Sequence, residues 1–300
     1  MDILKSIIGQ GILLTKTKEV TPWIFHRQEN VVWNTTRSIR KKNTVRSYET
    51  IISKFCQEFG QKDINEITTD EVLSFLNRLT RGRRQQTKKT RYSHLSSFFN
   101  FIKTNLEEKF DNPCDVPMMK KLFKAPKITH WDIIEKETVD EVIFRTMKPR
   151  NRLMLELMAR GGMRIGEVLK LTLSDIHDQK LILRDPKSGK EYEYVFIPAK
   201  VSERLRDYAK TVCKKPGDRI FPISYEAARI MVIKAGKMAG IHLRPHDLRR
   251  HSATFASRSG VPIEIVSKII LRHSNLSTTQ RYLGKITDTE AMRWIENLYT

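Results

Sequence analysis

From Asn43 onward, apolar residues return at three- and four-residue steps: Val45, Tyr48, Ile52, Phe55 and Phe59. That period lines one face of a helix, with Asn43 or Thr44 as its N-cap. A second stripe, Val72, Phe75, Leu76 and Leu79, follows Thr68-Thr69-Asp70-Glu71, where the spacing from Thr68 to Glu71 predicts a capping box. A third carries Tyr92, Leu95, Phe98, Phe99 and Ile102. Such stripes must be buried against one another, so residues 43–119 read as a small helical bundle. Asn112-Pro113 and Pro117 close it. The stretch 120–136, basic from Lys120 to Lys127 and broken by Pro126, reads as a linker.

A second domain is expected over 137–300. Leu153, Met154, Leu157 and Met158 make Asn151–Met163 a buried helix. Leu181–Leu183 and Tyr192–Ile197 read as two short strands, joined by the turn-rich Asp185-Pro186-Lys187-Ser188-Gly189-Lys190. The remainder reads as mostly helical, with Ser224, Asp247 and Pro262 near helix starts. The fold class expected is therefore mainly α in two domains, a helical bundle and a mixed, mostly helical domain with a small β-sheet. Residues 1–42 form an N-terminal extension with no readable period. It ends in a basic stretch, Arg37, Arg40, Lys41 and Lys42.

Charge narrows the function. The chain of 300 residues has 55 Lys and Arg against 34 Asp and Glu, a net +21 with a pI near 9.9. An excess of that size points to a polyanionic partner, because each neutralised phosphate releases condensed counterions. One run, Arg81, Arg83, Arg84, Lys88, Lys89 and Arg91, contains no acid and is read as a DNA contact, since like charges repel unless an anion lies beside them. Cys56, Cys114 and Cys213 are odd in number and lack metal-ligand or disulfide-framework spacing, so small buried thiols are expected. No apolar run has the length of a signal core or membrane span, which makes a soluble, cytoplasmic protein without membrane association the expectation.

Individually, the candidates for chemistry are weak. Arg164 follows Gly161-Gly162, where a tight turn could project a guanidinium from a helix end. His246 and Arg249 share a face at a helix start after Pro245, and His273 and Tyr282 flank Ser277-Thr278-Thr279. A surface arginine, a polar patch and a core aromatic would account for them one at a time. Their order carries more weight. Gly161-Gly162-Met163-Arg164-Ile165-Gly166-Glu167, then a hairpin lysine, then Pro245-His246-Asp247-Leu248-Arg249-Arg250-His251, then Leu271-Arg272-His273 through Gln280-Arg281-Tyr282, resembles the signature of the tyrosine recombinases. The bundle from Asn43 to Pro113 resembles the core-binding domain of the same family, so the likeness spans roughly residues 43–300.

The resemblance implies a catalytic set of Arg164, Lys187, His246, Arg249, His273 and Tyr282. Two always-charged, forked guanidiniums suit the extra negative charge of a pentacoordinate phosphorus, so the chemistry calls for no metal and no cofactor. Tyr282 would be the nucleophile, forming a covalent 3′-phosphotyrosine. The hairpin lysine would protonate the leaving 5′-hydroxyl. His246 would assist proton transfer, and His273 would donate a hydrogen bond to the phosphate. Pro186-Lys187-Ser188-Gly189-Lys190 aligns Lys187 with the family's lysine, Lys190 being the alternative. Implied partners are double-stranded DNA, a homotetramer on two DNA sites joined through the C-terminal stretch 287–300, and an accessory DNA-bending protein.

Two departures stand out. The family's Leu-Gly-His is Leu271-Arg272-His273, which loses a glycine suited to a left-handed helix end. The common Thr-Gly-Leu-Arg is Gly161-Gly162-Met163-Arg164. The implied function is a site-specific integrase of a phage or mobile element acting through a Holliday junction, with a chromosome-dimer resolvase of the Xer type as the second setting. Two further readings stay open: a type IB topoisomerase with a similar residue set, and a non-catalytic DNA-binding regulator that would not need an ordered nucleophile and acid.

Overall fold

The computed structural model describes residues 13–15, 24–26, 42–105, 111–126, 133–186, 189–280, 282–283 and 288–299. They divide into two compact units, one up to Pro126 and one from Ile133.

In the first unit, β1 (Leu13–Thr15) and β2 (Ile24–His26) form an antiparallel pair, followed by helices α1 (Lys42–Phe59), α2 (Thr69–Leu79), α3 (Gln85–Asn105) and α4 (Pro117–Leu122). Helix α1 starts ahead of the expected cap at Asn43 or Thr44. The capping box forms: Glu71 N donates to Thr68 Oγ1 at 3.3 Å and Thr68 N to Glu71 Oε2 at 2.9 Å. The stripes meet in an aromatic core, where Phe55 lies edge-on to Phe75, Phe98 and Phe99. Tyr92 stacks on Phe123, with centroids 5.1 Å apart, and Met119 and Phe123 are buried in the same cluster. The linker expected from Lys120 therefore starts later. Residues through Phe123 pack into the bundle because α4 turns its apolar side toward it.

In the second unit, α5 (Lys136–Arg145) and α6 (Pro149–Arg160) lead into the short α7 (Ile165–Val168). A three-stranded antiparallel sheet of β3 (Ile176–His177), β4 (Lys180–Arg184) and β5 (Tyr192–Phe196) follows. Helices α8 (Ala199–Val212), α9 (Tyr225–Met238), α10 (Pro245–Arg258), α11 (Ile263–Ile265), α12 (Leu276–Gln280) and α13 (Asp288–Tyr299) complete it, and α11 runs on into a π-helical turn, Val266–Ile270. The architecture is mainly α with a small sheet. Helix α6 is the central element: Met154, Leu155, Leu157 and Met158 are all fully buried, among Leu181, Val195, Leu205, Phe221 and Leu248. Pro149 opens it, and Gly161-Gly162 end it short of the expected Met163, with Gly162 at φ +58. The sheet alternates as its period demands. Leu181, Leu183 and Val195 face the core, and Tyr192, Tyr194 and Phe196 face outward. Ser224 caps α9, Pro262 precedes α11, and Asp247 sits at the third position of α10, accepting from Arg244 N at 2.9 Å.

Candidate active site

Helix α10 supplies two of the candidates from its first turns. Arg249 has no exposed surface, so its guanidinium must find acceptors inside the protein. It donates to the Gly162 and Leu271 carbonyls, tying α10 to the turn after α6 and to the loop before α12. Gly162 makes that approach possible. A Cβ there would come within 2.9 Å of both Ile270 Cγ2 and the Ile270 carbonyl, and its positive φ disfavours a side chain in any case.

Two residues past Gly162, Arg164 caps the start of α7. Its N–H donates to Glu167 Oε2 at 2.8 Å, and its Nη1 lies 2.6 Å from Glu167 Oε1. The Arg164 side chain retains 27% exposure, so a guanidinium held through Nη1 is still reached by solvent.

The loop after the π turn brings in His273. Its Nδ1 lies 3.0 Å from Thr279 Oγ1, whose hydroxyl donates to Ser267 Oγ at 2.9 Å. Helix α12 ends just ahead of Tyr282, whose N–H bonds Thr279 O at 2.7 Å and whose carbonyl accepts from Thr254 Oγ1 on α10 at 3.1 Å. The tyrosine ring stands edge-on to both histidines, with centroids 5.4 Å from His246 and 4.9 Å from His273. Its hydroxyl is 2.6 Å from His246 Nε2.

The charges here are strongly coupled. Burial, then Arg250, Arg249 and Arg164, holds the His246 pKa down at about 4. Burial, then Arg249, Arg164 and Arg272, does the same to His273, again to about 4. Both imidazoles are therefore neutral at pH 7, and in the tautomer with its proton on Nδ1 the His246 Nε2 facing Tyr282 is an acceptor for the phenolic proton. Burial, then Arg164 and Arg272, also lowers the Arg249 pKa, though not enough to discharge it at neutral pH. Burial works to raise the Glu167 pKa, but Arg272 and Arg164 outweigh it and the net shift is downward.

Arg164, His246, Arg249, His273 and Tyr282 thus gather at one place in the second unit. Lys187 lies outside the described residues. Lys190 is exposed in the turn that joins β4 to β5. In the first unit, Arg81, Arg83 and Arg84 follow α2 and Lys88, Lys89 and Arg91 lie on the first turns of α3. Among the described residues no carboxylate pairs with any of the six, and all but the half-buried Lys88 and Arg91 are exposed. Helix α13 turns Met292 and Ile295 outward, while the Trp294 ring lies against Gly260.

Some site residues were not anticipated. Glu167 stands three after Arg164, a spacing that could have suggested the contact. Arg272 was visible only as a missing glycine. Arg272 adopts the left-handed conformation, φ +51, without a glycine, and its side chain is held by the Ile270 and Gly162 carbonyls and by Glu167. Glu193 on β5 and the Ser267–Thr279 pair gave no sequence signal. Among the described residues, no group of three or more His, Cys, Asp or Glu side chains is placed to hold a metal ion, and no helix is long and apolar enough to cross a membrane.

Comparison with known proteins extends this geometry. The phage integrase family profile matches residues 134–287, and that of the phage integrase N-terminal SAM-like domain matches residues 34–105. The tyrosine recombinase XerA of Pyrococcus horikoshii is 30% identical over 269 residues, covering 86% of this chain and 88% of the relative. Among solved structures, the Tn1549 transposon integrase in complex with a circular intermediate DNA aligns with a TM-score of 0.67 at 16% identity, covering 87% of this chain and 95% of that one. A lambda integrase dimer bound to a COC′ core site aligns at 0.65 and 19% identity, covering 84% and 94%.

Proposed function

The chain belongs to the phage integrase family of tyrosine recombinases, DNA strand-transferring enzymes, and on that premise we propose that it recombines duplex DNA through Tyr282 as a covalent nucleophile. The observation that carries the reading is the Tyr282 hydroxyl, 2.6 Å from a neutral His246 that itself lies beside Arg164 and Arg249.

In the proposed reaction, Arg164 donates to the non-bridging oxygens of the scissile phosphate, and the charges of Arg164 and of the buried Arg249 behind it stabilise the pentacoordinate state. Tyr282 Oη attacks phosphorus while its proton passes to His246 Nε2. The bond from phosphorus to O5′ breaks, and O5′ leaves with a proton from Lys187, the lysine that family likeness assigns to the turn between β4 and β5. The products are a 3′-phosphotyrosine and a free 5′-hydroxyl. A 5′-hydroxyl from the partner duplex then attacks the phosphotyrosine, and the same groups return the protons, so the bond energy is conserved for joining. Two such exchanges pass through a Holliday junction.

The basic run from Arg81 to Arg91 is proposed to follow the DNA backbone. Helix α13, with its outward Met292 and Ile295, is proposed to join protomers of a tetramer on two sites. Integration of a mobile element is the proposed setting. The likeness to XerA over 86% of the chain favours chromosome-dimer resolution as the second.

The test uses full-length protein, EDTA buffer and a pool of nicked duplexes randomised across the core, with covalent protein–DNA adducts recovered after denaturation and sequenced. Wild type is expected to capture DNA by a 3′-phosphate on a selected sequence, and Tyr282→Phe to capture none. Adducts from Tyr282→Phe would overturn the nucleophile. Relaxed plasmid without recombinants would favour the topoisomerase reading.

A further inference from the structure

We infer that Arg272 is a positioning residue of the phosphate site: it shares the Glu167 carboxylate with Arg164 and offsets the buried Glu193, so that the cluster of Arg164, Arg249 and Arg272 keeps a net positive charge toward the phosphate. The inference rests on the pocket proposed above and adds a residue to it.

Three observations support it. The Arg272 side chain is 4% exposed, and every polar contact it makes is internal. Nη2 lies 2.8 Å from Glu167 Oε2 and 3.3 Å from Gly162 O, Nη1 donates to Ile270 O at 2.8 Å, and Nε is 3.7 Å from Glu193 Oε2. Arg272 and Arg249 thus share the Gly162 carbonyl, while Arg272 and Arg164 share the Glu167 carboxylate. Second, Glu193 lies on β5 with 8% exposure, on the face otherwise given to Val195. A carboxylate there needs a cation. Third, Arg272 sits at φ +51, a conformation an arginine resists unless its side chain is anchored.

The charge balance gives Arg272 its role. Three guanidiniums, Arg164, Arg249 and Arg272, face two carboxylates, Glu167 and Glu193. With Arg272 present the cluster is positive toward an incoming phosphate; without it, two cations face two anions. Glu167 would then draw on Arg164 alone, and Glu193 would repel the phosphate across a low-dielectric interior. The ion pair with Glu193 also ties β5 to the loop that carries His273.

Glycine suits the backbone at this position, so Arg272→Gly removes the charge without imposing strain. Using the duplex selected by wild type, we would measure single-turnover adduct formation against DNA concentration. Arg272→Gly is expected to lower the saturated rate by about 10²-fold, the usual effect of losing a charge-stabilising group in such a pocket, with little change in half-saturating DNA. Arg272→Gly/Glu193→Gln, which also removes the stranded carboxylate, is expected to recover about tenfold of the loss. Arg272→Lys, which keeps the charge but not the fork, should fall between wild type and Arg272→Gly.

A rate for Arg272→Gly equal to wild type overturns the inference alone, and so does a double variant no faster than the single. If Arg272→Gly fails to melt cooperatively, the lysine variant decides. A lysine variant that melts like wild type yet forms no adduct overturns charge neutralisation. Wild type that forms no adduct overturns the pocket and this inference together.

Discussion

His273 shows how much of the proposed chemistry depends on one proton. Thr279 gives its hydroxyl hydrogen to Ser267, so it accepts from His273 Nδ1, and the neutral ring then has no proton left on Nε2. To donate to a phosphate through Nε2, the ring must take up a proton as DNA binds, which the anion favours. Thr279→Val frees Nδ1 and lets the proton sit on Nε2 in the neutral ring. The alkaline limb of the pH profile for single-turnover cleavage should therefore move to higher pH in Thr279→Val, and an unmoved limb would refute the coupling. Stability has its own pH dependence. His246 and His273 titrate near 4 in the fold against an ordinary 6.5, so between those values the unfolded chain binds more protons. Their contribution is complete above about 6.5 and is lost as pH falls toward 4. His273 is 8% exposed, whereas His246 keeps an open edge, so His273 should dominate. His273→Asn should flatten the fall in Tm between pH 7 and pH 4, and a parallel curve would refute the assignment. The order of Arg164, His246, Arg249, His273 and Tyr282 was legible in the sequence because residue type and spacing carry it. The burial of Arg272 and Glu193 was not, because a sequence does not reveal which partner a side chain will meet across the fold.

At the scale of elements, the long periodic stripes were the legible part. Helices α1, α2, α3 and α6 bury enough apolar surface for the period alone to announce them. Elements too short for a period escaped: β3 has two residues, and the π turn Val266–Ile270 continues a helix of only three. Helix α4 was hidden by its lysines, although Met119 and Phe123 fix it to the bundle core. Two predictions test how the elements are joined. Thr68→Ala removes a cap from α2 and should cost about 1 kcal/mol in urea denaturation, with an unchanged m-value. Gly162→Ala imposes a side chain at φ +58 against Ile270 atoms 2.9 Å away, and should cost about 1–3 kcal/mol. It should also slow adduct formation, because the Gly162 carbonyl anchors Arg249. Gly162→Ala protein as stable and as active as wild type would mean that the turn after α6 does not set the arginine.

At the scale of the whole molecule, the net charge of +21 has to be located. The pocket contributes little, since Arg164, Arg249 and Arg272 are largely offset by Glu167 and Glu193. Non-specific affinity for DNA must then come from basic residues without acidic neighbours, and the run from Arg81 to Arg91 fits that description in the first unit. Counterion release gives the prediction its form. Each phosphate neutralised adds about 0.9 to the magnitude of the slope of log K against log salt. Arg83→Gln and Lys89→Gln should each reduce that slope by about 1, weakening binding alike on every duplex sequence. Arg164→Gln, whose guanidinium is already paired with Glu167, should change the slope less while abolishing adduct formation. Fluorescence anisotropy with a labelled duplex over a range of potassium chloride concentrations measures all three. Unchanged slopes for Arg83→Gln and Lys89→Gln would place the DNA contact elsewhere on the molecule. A slope that fell only for Arg164→Gln would mean that the pocket, and not the helical bundle, supplies the electrostatic grip.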